Sequence, residues 1–237
     1  MDNTPVLISG GQSVSLGPKL QSPWDLAAGA AELALESFPP LRPELDTICA
    51  IRTFSDSTPI WKSPFGRSSN PPGSIASRLG LSPENMIYSQ VGGTEPLSLL
   101  GEMAAGIASG EKKVVLLCGG ESIAMQKAAI KNGQAWDLNE DPPGPLEDRG
   151  LGQPFMANEE LAAGITTPIL YYSLIENRLA HLMGHSQREH LQFMGELMAP
   201  FSKIAAENPY GYESSGYIPS ELTTALRHGQ AYSKQFG

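Results

Sequence analysis

One continuous stretch, Val91 to Ser122 (VGGTEPLSLLGEMAAGIASGEKKVVLLCGGES), restricts the folds open to this chain more than any other. It opens with a Gly-rich turn. Leu97, Leu100, Met103, Ala104 and Ile107 then recur at helical spacing and predict one apolar face. Gly101, Ala104, Ala105, Gly106 and Ala108 carry almost no side-chain volume, so such a helix can approach its neighbours closely. Each Gly costs a helix about 1 kcal/mol relative to Ala, and tight burial must offset that. Val114 to Cys118 is an uninterrupted apolar run, the pattern of a parallel strand covered on both faces. Gly119 and Gly120 then allow a turn without a Cβ clash.

The flanking sequence repeats this alternation. Pro5 to Gly10 reads as a first strand and Trp24 to Phe38 as a helix that stops at Pro39-Pro40. Thr47 to Phe54 reads as a second strand, Ser55 to Gly73 as a long irregular stretch, Ser74 to Leu81 as a short helix, and Met86 to Gln90 as a third strand. Strands alternating with helices predict an α/β fold with a mostly parallel, covered sheet. The pattern changes after Ser122. Asp137 to Gly152 is an acidic Pro/Gly loop, and from Pro168 onward the chain is helical. Tyr171, Ile175, Leu179 and Leu182 predict one stripe, ended by Gly184. Ser186 and Glu189 have capping-box spacing for the next helix. Its predicted face is Leu191, Met194, Met198, Phe201 and Ala205, with Pro200 expected to kink or end it. A weak helical signal spans Ser220 to His228.

Charge excludes one class of partner. Twenty-five acidic against sixteen basic residues give a net charge of −9 with no Lys/Arg cluster, which argues against nucleic acid. The most apolar stretch, Leu161 to Tyr172, is interrupted and too short for a bilayer, so no membrane span is expected. The N-terminus lacks a signal-peptide pattern. Two cysteines, Cys49 and Cys118, in expected buried strands fit a reducing, cytoplasmic setting.

Several blocks, taken in order, resemble the thiolase superfamily, in particular its divergent branch of thiolase-like acetyl-CoA acetyltransferases related to the sterol-carrier-protein thiolases. The blocks are PVLISGGQ from Pro5, NPPGSIASRLGL from Asn70, VGGTEPLSLL from Val91, GIASGEKKVVLLCGGES from Gly106, and the helical run from Tyr171 to Pro209. The resemblance implies an α/β, thiolase-like βαβαβ fold with a parallel or mixed covered sheet and a helical loop-domain insertion. It implies a half-domain over 1–125, a loop domain over 126–209 and a divergent tail over 210–237, with the second catalytic half lying outside this chain.

A family thiolase is acylated on a cysteine at a helix N-terminus, where the helix end favours the thiolate. Counting back from Gly110 places Gly93 at that position, flanked by Gly92 and Thr94, so the expected nucleophile is missing. The pair that lines the family's coenzyme A tunnel aligns with Leu170 and Tyr171, and Gly119 and Gly120 are further substrate-binding candidates. The implied activity is acyl transfer from acyl-CoA thioesters, impaired in this chain alone. No cofactor beyond the thioester substrate is implied. The alternative within the family is a non-catalytic acyl-CoA-binding or partner subunit. An exposed apolar patch is expected from half a sheet, predicting a homo-oligomer or a thiolase-like partner subunit.

Outside the family, Gly120-Glu121-Ser122-Ile123-Ala124 approximates a nucleophile elbow. Ser122 would then be the nucleophile of a serine hydrolase, with Glu176 or Asp148 and His181, His190 or His228 as partners. Cys118 is read as a strand residue. His181, His185 and His190 suggest a metal cluster by spacing, but Gly184 breaks the helix between the first two and no H-E-x-x-H or Cys pair accompanies them, so they are read as solvated or capping residues and no metal is expected. Asp137, Glu140, Asp141, Glu147 and Asp148 lack calcium-loop spacing and are read as a solvated loop.

Overall fold

The computed structural model describes residues 3–15, 19–58, 61–152, 156–211 and 215–223. The chain forms two compact units, Met1–Pro154 and Phe155–Gly237. The first unit therefore extends past position 125, because the acidic loop folds back onto it rather than joining the helices.

In the first unit, helix α1 (Pro23–Glu36) is started by a capping box. Ser22 Oγ accepts from Asp25 N–H at 3.0 Å, and the Asp25 carboxylate accepts from Ser22 N–H at 2.8 Å. Strand β1 (Leu45–Ala50) follows. Helix α2 (Pro71–Leu79) begins three residues earlier than the spacing predicts. Pro71 and Pro72 occupy its first two positions, where a missing N–H costs nothing, and the Asn70 side chain accepts from Gly73 N–H at 3.1 Å. The elements β2 (Asn85–Tyr88), α3 (Glu95–Ser109), β3 (Val114–Cys118) and α4 (Ile123–Lys131) complete the alternation. Helix α3 stops at Gly110, whose φ of 80° is the left-handed cap that glycine adopts without strain.

The sheet has the order β3-β1-β2-β4, and every pair is parallel. The fourth strand is two residues long, β4 (Glu147–Asp148), and comes from the acidic loop. Side chains alternate across the sheet as the strand period requires. Ile48, Ala50, Met86 and Leu116 face α1 and α2, whereas Cys49 and Ile87 face α3. Helix α3 buries Glu95, Leu99, Met103 and Gly106. This corrects the predicted face, because Leu97 is 73% exposed. Two apolar stripes share this helix, and the one that meets Ile87 and Leu117 is buried. Burying Leu99 and Met103 is worth roughly 1.5–3 kcal/mol each.

The expected first strand is also corrected. Pro5 to Gly10 forms no strand and has no ladder partner among the described residues, and Val6 and Leu7 are exposed. Its anchor is α1: Ser9 Oγ donates to the Ala34 carbonyl at 2.8 Å, and Gly11 lies against the Ala30 carbonyl. A groove of about 650 Å³ runs between this segment and β3, walled by α1 and α3.

The second unit holds α5 (Asn158–Ala162), α6 (Pro168–Met183), α7 (Gln187–Glu207) and α8 (Pro219–Thr223). Gly184 ends α6 with a φ of 68°, and Ser186 and Glu189 form the predicted capping box of α7. Pro200 does not end α7, which continues through it to Glu207. The buried positions of α7 are His190, Gly195 and Ala199 rather than the large apolar stripe. Small residues are needed there because α8 approaches so closely that a Cβ on Gly195 would lie 2.6 Å from the Pro219 carbonyl. Ile175, Leu182, Met198 and Phe201 are exposed. Of the predicted C-terminal helix, the part beyond Thr223, with His228, lies outside the described residues. Among the described residues no helix is long and apolar enough to cross a membrane.

Candidate active-site turn at the strand ends

The chain passes from β2 on one side of β1 to β3 on the other, so the carboxyl ends of these strands frame a crevice of the kind that binds ligands in open α/β sheets. Three turns meet there: Arg52–Phe54 after β1, Gln90–Glu95 after β2, and Gly119–Ser122 after β3.

The turn after β2 contains Gly93, the position that the resemblance assigns to the nucleophile. Gly93 is exposed, its φ lies outside the left-handed region, and a Cβ built on it meets no atom within 4 Å. Sterics and backbone conformation do not demand glycine here. Thr94, at the N-cap of α3, makes no side-chain capping bond. The carboxylate that occupies the turn belongs to Glu95, a buried residue at the first helical position. Its Oε1 accepts from Gln90 Nε2 at 2.8 Å and folds back to 3.6 Å from where a Gly92 Cβ would stand. The positive end of the helix is thus already met by a negative side chain. Motif reading missed Glu95, whose signal was an acidic residue preceding Pro96 at a predicted helix start.

Arg52 organises the neighbouring turn. Its guanidinium lies 4.1 Å from the centre of the Tyr88 ring, Nε donates to the Ser89 carbonyl at 2.7 Å, and a terminal nitrogen pairs with Asp148. The Tyr88 hydroxyl accepts from Thr53 N–H at 3.0 Å and donates to Asp56 at 2.8 Å. Burial, followed by the Asp56 charge, pushes the Tyr88 hydroxyl above its ordinary pKa. Tyr88 is a structural post here rather than an acid.

The acidic loop is correspondingly not a free solvated loop. Glu140 accepts from Arg78 at 2.6 and 2.9 Å, and Arg149 forms a two-pronged pair with Glu102 at 2.6 and 2.7 Å. Burial pushes the Glu140 carboxyl upward, but the Arg78 hydrogen bonds outweigh it and hold the pKa low. Asp141 accepts from Ser69, and exposed Asp137 accepts from Asn139 N–H at 2.9 Å.

The turn after β3 is shaped by packing. A Cβ on Gly119 would lie 3.1 Å from Ile51 Cβ, and one on Gly120 would press on the Pro23 carbonyl and lie 2.9 Å from Ala27 N. The start of α1 rests directly on Gly120. Glu121 accepts from Phe54 N–H at 2.5 Å, and burial raises its carboxyl pKa. Ser122 precedes α4 but is buried, makes no capping bond, and accepts from Gln126 Nε2 at 3.2 Å. No histidine occurs between Met1 and Pro154. The side-chain partner of this buried serine is an amide, which is not a base that activates a hydroxyl.

Neither cysteine is primed. Burial pushes both Cys49 and Cys118 up to about 12, and Cys118 Sγ lies 3.7 Å from the Cys49 carbonyl. Each remains a thiol at neutral pH. Leu170 and Tyr171 lie in the first turn of α6 in the second unit, where Tyr171 pairs with Glu160. Asp148 is held by Arg52, and Glu176 by His190.

No protein-family model and no curated protein matches this chain. Among solved structures it is similar to a monomeric SCP2-thiolase-like protein type 1 from Mycobacterium smegmatis, at 27% identity and a TM-score of 0.66. The fold is thiolase-like. The likeness covers 96% of this chain but spans 40% of the length of that structure.

Proposed function

We propose that this chain is a thiolase-like unit that binds acyl-CoA thioesters without forming an acyl-cysteine of its own. The observation that carries this reading is the turn after β2, which holds no thiol and whose start of α3 is occupied by the Glu95 carboxylate; the family resemblance supports reading Gly93 as the nucleophile position. The two thiols support it, because Cys49 is buried, Cys118 is half-buried, and burial pushes both up to about 12, whereas attack on a thioester needs an accessible sulfur of lower pKa. On this reading the chemistry of the thiolase-like acetyl-CoA acetyltransferases, acyl transfer through an enzyme thioester, requires a nucleophile from elsewhere. The coenzyme A thioester is itself the ligand, with no separate cofactor, and within the first unit the backbone around Gly119 and Gly120 is the candidate to contact it. The serine-hydrolase alternative draws no support from the surroundings of Ser122. Association with a second copy or a thiolase-like partner is supported by the apolar groove along β3, and sedimentation of the purified chain tests it.

The test of the binding reading is calorimetric titration with acetyl-CoA and a longer acyl-CoA, followed by a thiol-release assay on the same samples. Saturable binding with no release of free coenzyme A is expected. Absence of binding to either thioester refutes acyl-CoA recognition, and steady release refutes the non-acylating part.

A further inference from the structure

Two buried imidazole nitrogens in the second unit have no hydrogen-bond partner among the described residues: Nδ1 of His185 and Nδ1 of His190. Unsatisfied buried polar atoms are uncommon, and two in one place call for a shared explanation. The rings are neighbours because of where they sit on α7. Ser186 is the N-cap, so His185 precedes it and His190 is the fourth helical residue. Those two positions pack against each other across a helix start. Their ring centroids are 5.8 Å apart, and the Phe193 ring lies 5.8 and 5.9 Å from them.

The second nitrogen of His190 is already committed. Its Nε2 lies 2.7 Å from Glu176 Oε2 on α6. The carboxylate accepts a hydrogen bond from Nε2–H, which leaves the Nδ1 lone pair free and the ring fixed in orientation. This is the carboxylate–histidine arrangement that supports metal ligation. Glu189 places a second negative charge beside His185.

We propose that His185 and His190 form a two-imidazole site for a divalent transition ion of the zinc or copper class, each donating through Nδ1, with solvent completing the coordination. Imidazole nitrogen suits these ions, whereas magnesium and calcium require oxygen ligands. With metal–nitrogen bonds of about 2.0–2.1 Å, each ring centroid stands about 3 Å from the ion, so two rings on one ion are about 5–6 Å apart. The observed separation falls in that interval. Among the described residues no group of three His, Cys, Asp or Glu converges as a metal site, which sets the expected affinity below that of a closed structural zinc site. Both nitrogens are shielded, so binding includes a rotation of the less buried ring, His185.

The experiment is Zn²⁺ titration of the intact chain by calorimetry, with His185→Ala, Glu176→Gln and the double variant His181→Ala/His228→Ala. One ion per chain is expected. His185→Ala should weaken binding at least about tenfold and Glu176→Gln about tenfold, whereas the double variant binds as the parent does. Because His190→Ala removes a buried tie to α6 and threatens folding, the imidazoles are instead followed by ¹⁵N spectroscopy. Zn²⁺ should shift Nδ1 of both rings. Unchanged affinity in His185→Ala, no saturable binding by the parent, or a shift confined to Nε2 of His185 would each overturn the proposal and leave a shared water as the explanation.

Discussion

Replacing Gly93 by cysteine places a thiol at the position proposed for the nucleophile, and its outcome follows from the local geometry. A Cβ at Gly93 meets nothing within 4 Å, so the variant folds, with a gain of about 0.4–1 kcal/mol from reduced freedom of the unfolded chain. An ordinary thiol titrates near 8.5. The start of α3 favours the thiolate by about 0.3–1 kcal/mol, which lowers that value by roughly 0.2–0.7 units. The Glu95 carboxylate lies in the same turn, folded over Gly92. At a separation of about 6 Å in a partly hydrated site its repulsion is about 1 kcal/mol and cancels the helix term. The new thiol should therefore titrate near 8.5 and be about 3% ionised at pH 7. The rate of iodoacetamide alkylation against pH, read by mass spectrometry at position 93, measures this directly. Adding Glu95→Gln, which preserves an acceptor for Gln90, should lower the value by about 0.5–1 unit. Cys49 and Cys118 serve as internal controls and should stay unmodified in the folded chain. A single variant that titrates at 7 or below would refute the role given to Glu95.

Two further outcomes concern the unit that holds this turn, whose unfolding is reported by Trp24, Trp61 and Trp136, the three tryptophans of the chain. Arg78→Met removes bonds to Asp25 and Glu140 that join the start of α1, the end of α2 and the acidic loop; urea denaturation should show a loss of about 1–3 kcal/mol, discounted for partial exposure. The raised Glu121 pKa means that its ionised form opposes folding, a penalty absent below about pH 4 and imposed as pH rises through the raised value. Glu121→Gln should therefore raise the urea midpoint at pH 7 and leave it unchanged below pH 4, and equal effects at both pH values would contradict that account.

Much of the architecture was legible because the elements carry local signals. Val114 to Cys118 is one apolar run bounded by a charged turn and two glycines, and the strand occupies those five residues. Gly184 and the Ser186/Glu189 pair marked a helix stop and start on local grounds alone. What was not legible depended on distant partners. Leu97 and Leu99 are equally apolar, and only the positions of Ile87 and Leu117 decide which is buried. The acidic loop became a sheet edge because Arg52 and Arg78 reach it from two other segments and its own Arg149 ties it to Glu102 on α3. At the candidate site, Gly93 is singled out only through the family resemblance, and nothing in its own surroundings marks it. The Glu95 carboxylate in the same turn was not legible, because its inward fold depends on Gln90 and on the room left by Gly92.

Intact-protein mass spectrometry after incubation with acetyl-CoA tests the central claim most directly. The account predicts that the parent chain keeps its mass while binding the thioester. A stoichiometric gain of one acetyl group on Cys49, Cys118 or any residue of the Gly92–Glu95 turn would contradict it.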